Sequence, residues 1–519
     1  MNKILKIFLI SSVTFSLFSG PNKDLLVAAF GGNLAGVEAA IAAGADINAV
    51  DINGNTALIW AAFKGHLNVV KLLLDRGADI NAVDTSGNTA LIFAARYGHI
   101  DIVRFLLDRG ADVNIINSLN NNVLMTAAQQ GHTKIVELLL LAGVDVNSRG
   151  GDGYTALMFA AFDGHTDTVK LLLDRGADIN AINNHGSTAL MFAAQNGHID
   201  IVRFLLDRGA NINIINKLNN NVLMPAAQRG HTKIVELLLL AGVDVNSRGG
   251  DGYTALIFAA KNGHTDVIRL LLDRGADINA VNVNGTTALM FAASYDHPDT
   301  VKLLLDRGAD INAVDIDGNT ALMHAAFNGH IDIVRLLLKM GANIDHASQD
   351  GNTALMVAQG EGRTEIAKIL QETPEIKQLV DNAIQGDSSS HQELIEKIKD
   401  LNIDSYEFNL ILNHLIQKIK DVGLNRNSRK LLLDLAYHIA INLGGAVVGL
   451  LPEDILMPML RDFLPYTDLE YEFNMMNLDA HNQPIKRILL EIIYAFYKKI
   501  EKLEEIEAEL KVTHVLEYE

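Results

Sequence analysis

Nine histidines stand at one register of this sequence: His66, His99, His132, His165, His198, His231, His264, His297 and His330, each 33 residues after the last. A file of imidazoles suggests a row of metal sites. Packed helices lie about 8–10 Å apart, whereas the ligands of one zinc each lie about 2 Å from the ion. Units that carry one histidine apiece therefore cannot share a metal through it, and a hydrogen-bonded framework position is the reading this spacing supports. Asp79-Ile80-Asn81 and its echoes look like Asp-x-Asn calcium loops but lack the glycine and the closing glutamate of an EF-hand. His391, His414, His438 and His481 lie scattered among carboxylates, with no H-E-x-x-H, G-x-S-x-G or phosphate-loop spacing. Cysteine is absent, so thiolate metal sites, disulfides and cysteine nucleophiles are excluded and cysteine usage says nothing of compartment.

The elements that carry the histidines repeat nearly verbatim. TALIWAAFKGHLNVVKLLLDRGADINA begins at Thr56 and returns from Thr89, Thr155, Thr188, Thr254, Thr287, Thr320 and Thr353, with altered copies at Asn122 and Asn221. A degenerate first copy near Lys23 brings the total to eleven, ending near Pro374. A fixed period of this length predicts a stacked array. In each copy a threonine such as Thr56 can N-cap a first short helix, and Gly65 ends it in the left-handed conformation. Val69, Val70, Leu72, Leu73 and Leu74 then carry the apolar spacing of a second helix. Gly77 to Asn81 ends that helix, and Asp84-Thr85-Ser86-Gly87 supplies a turn before the next cap.

These blocks resemble the ankyrin repeat. The family's T-P-L-H-x-A-A is TALIWAA or TALMFAA here, followed by its G-H, L-L-L and G-A-D-x-N blocks. Alanine replaces the usual proline at Ala57, Ala90 and Ala156, and Ile59, Met158 and Met191 replace the usual histidine. The resemblance implies a curved all-α solenoid of helix pairs with projecting β-turn fingers over residues 21–374, used to bind other proteins. In that family the end of the first helix and the fingertip face the concave groove. The corresponding pairs are Phe63-Lys64, Arg96-Tyr97, Gln129-Gln130, Phe162-Asp163, Gln195-Asn196, Gln228-Arg229, Lys261-Asn262, Ser294-Tyr295 and Phe327-Asn328. They change from copy to copy while the framework does not, and they include residue types enriched at interface hot spots. Fingertip residues such as Ile52-Asn53, Thr85-Ser86, Asn184-His185 and Ile316-Asp317 vary too and form a second contact row. The groove is expected to run for about 100 Å at the packing distance given above. Trp60, Phe93, Phe159, Phe192, Phe258 and Phe291 share one site of the first helix and read as core.

Residues 131–157 and 230–256 are identical, so a three-copy module has been duplicated. Such a surface presents the same side chains twice, which suits an elongated binding face better than a unique catalytic pocket. Pro225 falls near the end of the first turn of its helix, where it removes one backbone bond. Pro298 falls at the start of a second helix, a favourable place.

The formal net charge is −19, which argues against nucleic acid as a partner, because phosphate neutralisation needs a basic surface. Residues 1–20 pair a basic start (Lys3, Lys6) with an apolar run from Ile7 to Phe18, short for a membrane span. They predict an export signal of bacterial type, leading to a periplasmic or secreted protein, with an uncleaved anchor as the alternative. Residues 375–519 predict a separate all-α domain of about five helices, in Glu393–Leu401, Glu407–Lys420, Ser428–Leu443, a short helix from Pro452 to Phe463, and Ile485–Lys511. A membrane span over 431–451 is disfavoured by Asp434, His438 and Asn442 and by the break at Gly444-Gly445. Taken together, the expectation is a monomeric, non-enzymatic interaction scaffold that binds one or more proteins and needs no cofactor or metal. An enzyme in the C-terminal domain, delivered by the repeats, and a membrane-tethered spacer stand as alternatives.

Overall fold

The computed structural model describes residues 20–399 and the single positions 406, 407, 410, 411, 414 and 418. The expected export signal up to residue 19, most of the helix expected over 407–420, and the helices expected over 428–443, 452–463 and 485–511 lie outside the described residues. Among the described residues regular structure is all-α, with 23 α-helices, one short 3-10 turn and a few isolated antiparallel bridges such as Val50 to Thr56. None of these helices is long and apolar enough to cross a membrane. The chain divides into two compact units, Met1–Asp310 and Ile311–Glu519.

In the first unit the local code is obeyed copy by copy. The Thr56 hydroxyl accepts the Ile59 amide at 3.2 Å and opens the helix Ala57–Lys64. Gly65 closes it at φ 83°, a conformation that costs a residue with a Cβ about 1–2 kcal/mol. Leu67–Asp75 follows. Helices of 8 and 9 residues do not hold alone in water, so burial against the next copy must hold them. The buried set is Ala57, Leu58, Ile59, Trp60, Ala61 and Ala62 on the first helix and Val69, Val70 and Leu73 on the second, and most equivalent residues are buried in the copies that follow. The alanines let first helices approach closely, while the branched residues fill the space between helix pairs.

Two hydrogen-bonded rows run from copy to copy beside this core. At the fingers, backbone amides donate to the preceding fingertip: Thr85 to Asn53 at 2.9 Å, Ser118 to Ser86 at 2.7 Å, and Lys217 to His185 at 2.8 Å. At the base, the asparagine of each Asp-Ile-Asn turn takes an amide of the next copy, as with Asn48 and Asp79 at 2.8 Å or Asn81 and Asp112 at 2.9 Å. The calcium-like spacing is thus turn chemistry. Asp79 accepts the Asn81 amide at 3.0 Å, and Asn81 faces its neighbour.

The irregular copies keep the fold by local substitution. Asn120 and Asn219 take the turn glycine's place at φ 55° and 54°. Asn122 caps its helix in place of threonine, accepting Met125 at 3.0 Å. Pro225 shortens its helix to Leu223–Gln228, against Val123–Gln129 in the sister copy, and Asn221 accepts both the Leu223 and Met224 amides. Asp296 occupies a glycine's place at φ 60°, and Pro298 opens its helix at the first position.

The second unit contains the copies from Thr320 and Thr353. The last of these closes with a 22-residue helix, Thr364–Gln385, which runs through Pro374, where the 33-residue rhythm ends. Thr373, fully buried, donates to the Ile369 carbonyl at 2.6 Å beside that proline and meets the Tyr406 hydroxyl at 2.9 Å. Gly386 ends the helix at φ 103°, and the next helix, Ser388–Lys399, starts earlier than the apolar spacing implies. Asp387 explains the early start, because its carboxylate accepts the Ser389 and Ser390 amides as an N-cap does. On the Thr364–Gln385 helix, Asp381 receives His414 at 2.9 Å and Lys418 at 3.0 Å.

Candidate functional site

The recurring histidines set the geometry of the variable row. The Nε2 of His99 lies 3.1 Å from the carbonyl oxygen of Phe63, His132 meets Arg96 at 3.2 Å, and His165 meets Gln129 at 2.9 Å. His198 meets Phe162 at 2.9 Å, His231 meets Gln195 at 3.0 Å, His264 meets Gln228 at 3.0 Å, and His297 meets Lys261 at 3.1 Å. His66 makes the same bond to Phe30 at 3.1 Å. The final carbonyls of a helix have no partner inside it, so each imidazole satisfies one of them on the copy before. It also lies against the glycine that closes that helix. A Cβ added at Gly98 would stand 2.8 Å from the His132 ring. In the second unit Arg363 stands at the same register and gives its Nε to the Phe327 carbonyl at 3.2 Å.

This latch fixes the backbones of Phe63, Arg96, Gln129, Phe162, Gln195, Gln228, Lys261 and Phe327 and leaves their side chains to the surface. None of the residues in the nine pairs is buried. Tyr97, Phe162, Tyr295 and Phe327 are 45%, 42%, 50% and 51% exposed, and Gln129, Gln130, Asp163, Gln228 and Arg229 are exposed as well. The pairs are not equivalent, however. Asn196, Asn262 and Asn328 turn back and donate to their own helices, at Phe192, Phe258 and His324, over 3.0, 2.8 and 2.9 Å. Those three finish a helix end with one N–H each and keep the second N–H and the carbonyl oxygen at an exposed position. Ser294 and Gln195 are half-buried.

Aromatic rings gather beside the pairs. Phe30, Trp60, Phe63 and Tyr97 form an edge-to-face chain with centroids 5.2, 5.6 and 4.6 Å apart, and Phe93 joins Phe63 at 5.8 Å. Trp60 gives its indole N–H to Asp51 at 3.1 Å and, with Phe192 and Phe291, is buried as core, whereas Phe93, Phe159 and Phe258 are half-buried. Farther along, Tyr154 stacks between Phe159 and Phe192 at 5.2 and 5.3 Å, and Tyr253 packs between Phe258 and Phe291 at 5.0 and 5.5 Å. Lys261 lies 5.9, 5.6 and 5.3 Å from the centroids of Tyr253, Phe291 and Tyr295. Desolvation lowers the Lys64 ammonium below the usual lysine range and raises the Asp163 carboxyl, while His165 and His198 act on Asp163 in the other direction.

Sequence profiles described as ankyrin repeats in three copies match residues 25–117, 124–216, 223–315 and 310–380, and one described as ankyrin repeats in many copies matches 197–239. The chain belongs to the ankyrin-repeat family. No curated protein matches it. Ankyrin repeats are a protein–protein interaction module, and the variable row of this ankyrin chain lies on the first-helix ends that the latch pins. Phe30, Tyr154, Tyr253 and Arg363 belong to that ankyrin surface or its latch but were not among the residues singled out by sequence. Their signals are legible in retrospect: Tyr154 and Tyr253 stand where other copies have Asn55, Asn88 or Ser187, and Arg363 stands one period after His330. Among the described residues no cluster of three or more His, Asp or Glu could hold a metal ion.

Proposed function

We propose that this chain is a non-enzymatic scaffold that holds protein partners in its concave groove, against the row of first-helix ends and fingertips. The observation that carries this reading is the division of labour within each copy. The backbone of a residue such as Phe162 is tied to the framework through His198, while its side chain is exposed, and the residue type at this register changes along the array among Phe, Arg, Gln, Lys and Ser. A rigid backbone bearing exposed aromatic and basic side chains loses little entropy on binding. Capture of partners from the native setting by wild type and by a Tyr97/Phe162/Tyr295 triple-alanine variant tests it. The variant is expected to lose partners while keeping its helical signal, and an unchanged captured set would overturn the assignment of this face.

The same reading places the protein outside the cytoplasm of a bacterial producer, on the basic start and apolar run of residues 1–18. Intact-mass and N-terminal analysis of protein from the producing cell checks this. A mature chain beginning near Pro21 is expected, and a retained Met1 would point instead to an anchored spacer.

A further inference from the structure

We propose that the first three copies form a docking platform for an acidic peptide segment that also carries apolar side chains. The proposal rests on the protein-binding reading above and adds the chemistry of the partner. On a chain of net charge −19, the helix ends of copies two and three carry Lys64 and Arg96 and no acid, and the tips Ile52-Asn53 and Thr85-Ser86 carry no charge. The carboxylates beside those tips in sequence are engaged, while Asp75 and Asp101 lie exposed on the second helices. Asp51 is buried and accepts from Asn55 and Trp60, and Asp84 accepts from the Ser86 and Asn88 amides.

Both cations are held in place. The Lys64 ammonium lies 4.2 Å from the Phe30 centroid and 5.3 Å from that of Phe63, and the Arg96 guanidinium lies 5.8 Å from Phe93. An ammonium resting on rings has already given up part of its water and rotamer freedom, so a carboxylate gains more from meeting it than from meeting a free surface lysine. Lowering of the Lys64 pKa by desolvation agrees with that. Phe63, which meets Lys64 directly and Arg96 by way of Phe93, and Tyr97 beside it offer contact to an apolar side chain.

Basic and aromatic surfaces also suit single-stranded nucleic acid. The arrangement favours a peptide because, of Phe30, Trp60, Phe63, Phe93 and Tyr97, Tyr97 alone is exposed, so successive bases would find a single open ring. Two cations on an acidic chain also neutralise few phosphates.

Trp60 is the sole tryptophan in the sequence and lies within this ring chain, so its emission reports on the platform. Full-length protein is titrated with a dodecapeptide of Glu-Glu-Phe repeats, with its Lys-Lys-Phe counterpart, and with a thymidylate dodecamer. The expected result is a saturable shift with the acidic peptide alone, weakened about tenfold or more by Lys64→Glu with Arg96→Glu and by added salt. The neutral pair Lys64→Gln with Arg96→Gln is expected to fall between, and serves in its place if charge reversal disturbs the helical signal. Preference for the lysine peptide or the thymidylate, or an affinity indifferent to both variants, overturns the proposal. If the acidic peptide fails while the Tyr97/Phe162/Tyr295 variant still loses captured partners, the acidic-partner inference falls and the broader reading stands. If neither responds, both fall.

Discussion

The imidazole Nε2 of His99 stands 3.1 Å from the carbonyl oxygen of Phe63, across the joint between two copies. The contact satisfies an otherwise orphan helix-end carbonyl, packs the ring on Gly65, and leaves the Phe63 side chain beside Tyr97 at the surface. It ties the stability of the array to the placement of the residues read as its binding row.

Replacing His99 by alanine removes that bond and exposes a half-buried carbonyl. A loss of about 1–2 kcal/mol is expected, read as a lower urea midpoint. Arg363→Ala should lower the midpoint less, because its 3.2 Å bond to the Phe327 carbonyl is exposed and water can replace it. No change in either variant would show that this latch, bond and packing together, does not join the copies.

Two glycines separate strain from collision. Gly98 and Gly110 have φ of 79° and 80°, but a Cβ at Gly98 would lie 2.8 Å from the His132 ring, whereas at Gly110 it would meet open space. Gly110→Ala should cost about 1 kcal/mol, the left-handed strain alone. Gly98→Ala should cost roughly 1–3 kcal/mol more, from overpacking against the imidazole. Equal midpoints in urea denaturation would refute the steric part.

At the finger base, Asp84 accepts the Ser86 amide at 2.9 Å and the Asn88 amide at 2.7 Å. Asn117 does the same work in the next copy, accepting Leu119 and Asn121 at 3.0 Å each. Asp84→Asn is therefore expected to lose well under half of what Asp84→Ala loses, the latter about 1–3 kcal/mol for stranded amides. Thermal melts of the two variants side by side decide it.

Exposed and buried aromatics should answer differently to truncation. Tyr97→Ala and Tyr295→Ala, at half-exposed sites, are expected to cost less than about 1 kcal/mol. Trp60→Ala, at 7% exposure and bonded to Asp51, is expected to cost about 3–5 kcal/mol. A large loss at Tyr97 or Tyr295 in chemical denaturation would make them framework and remove them from the binding row.

Acid should loosen the helix Thr364–Gln385. Burial lowers the His414 pKa below its ordinary value. The Asp381 hydrogen bond and charge oppose that shift, and Lys377 and Lys418 add to it. With its folded value depressed, the unfolded chain takes up the proton first as pH falls below about 6.5. The stabilising contribution is thus complete above that pH and is lost as pH drops toward the folded value. Hydrogen exchange of amides in Thr364–Gln385 should quicken between pH 7.5 and pH 5.5, and His414→Gln should flatten the change. An equal acid response in that variant would assign the effect to other groups.

Much of the local design was legible in one dimension. Thr56, Thr89 and Asn122 cap the helices that their types and positions foretold, because a cap is made by atoms three residues apart. Gly65 and Gly98 end helices for an equally local reason, freedom at positive φ. The start at Ser388 was missed because apolar spacing marks the face of a helix and not its first residue, and there the Asp387 carboxylate decides. Within the variable row, Asn196, Asn262 and Asn328 looked equal to their neighbours until their bonds to their own helices were seen.

By itself the sequence determined the period, the two short helices of each copy, their caps and turns, and which positions are free to vary. Each of these rests on chemistry within a few residues or on strict recurrence. What met across copies was settled by the tertiary structure alone: His99 on the Phe63 carbonyl, Tyr154 between Phe159 and Phe192, Lys261 among three rings, and Arg363 in a histidine's place. Such contacts depend on the distance and rotation between stacked units, which are fixed by how their apolar faces pack and are written in no single copy.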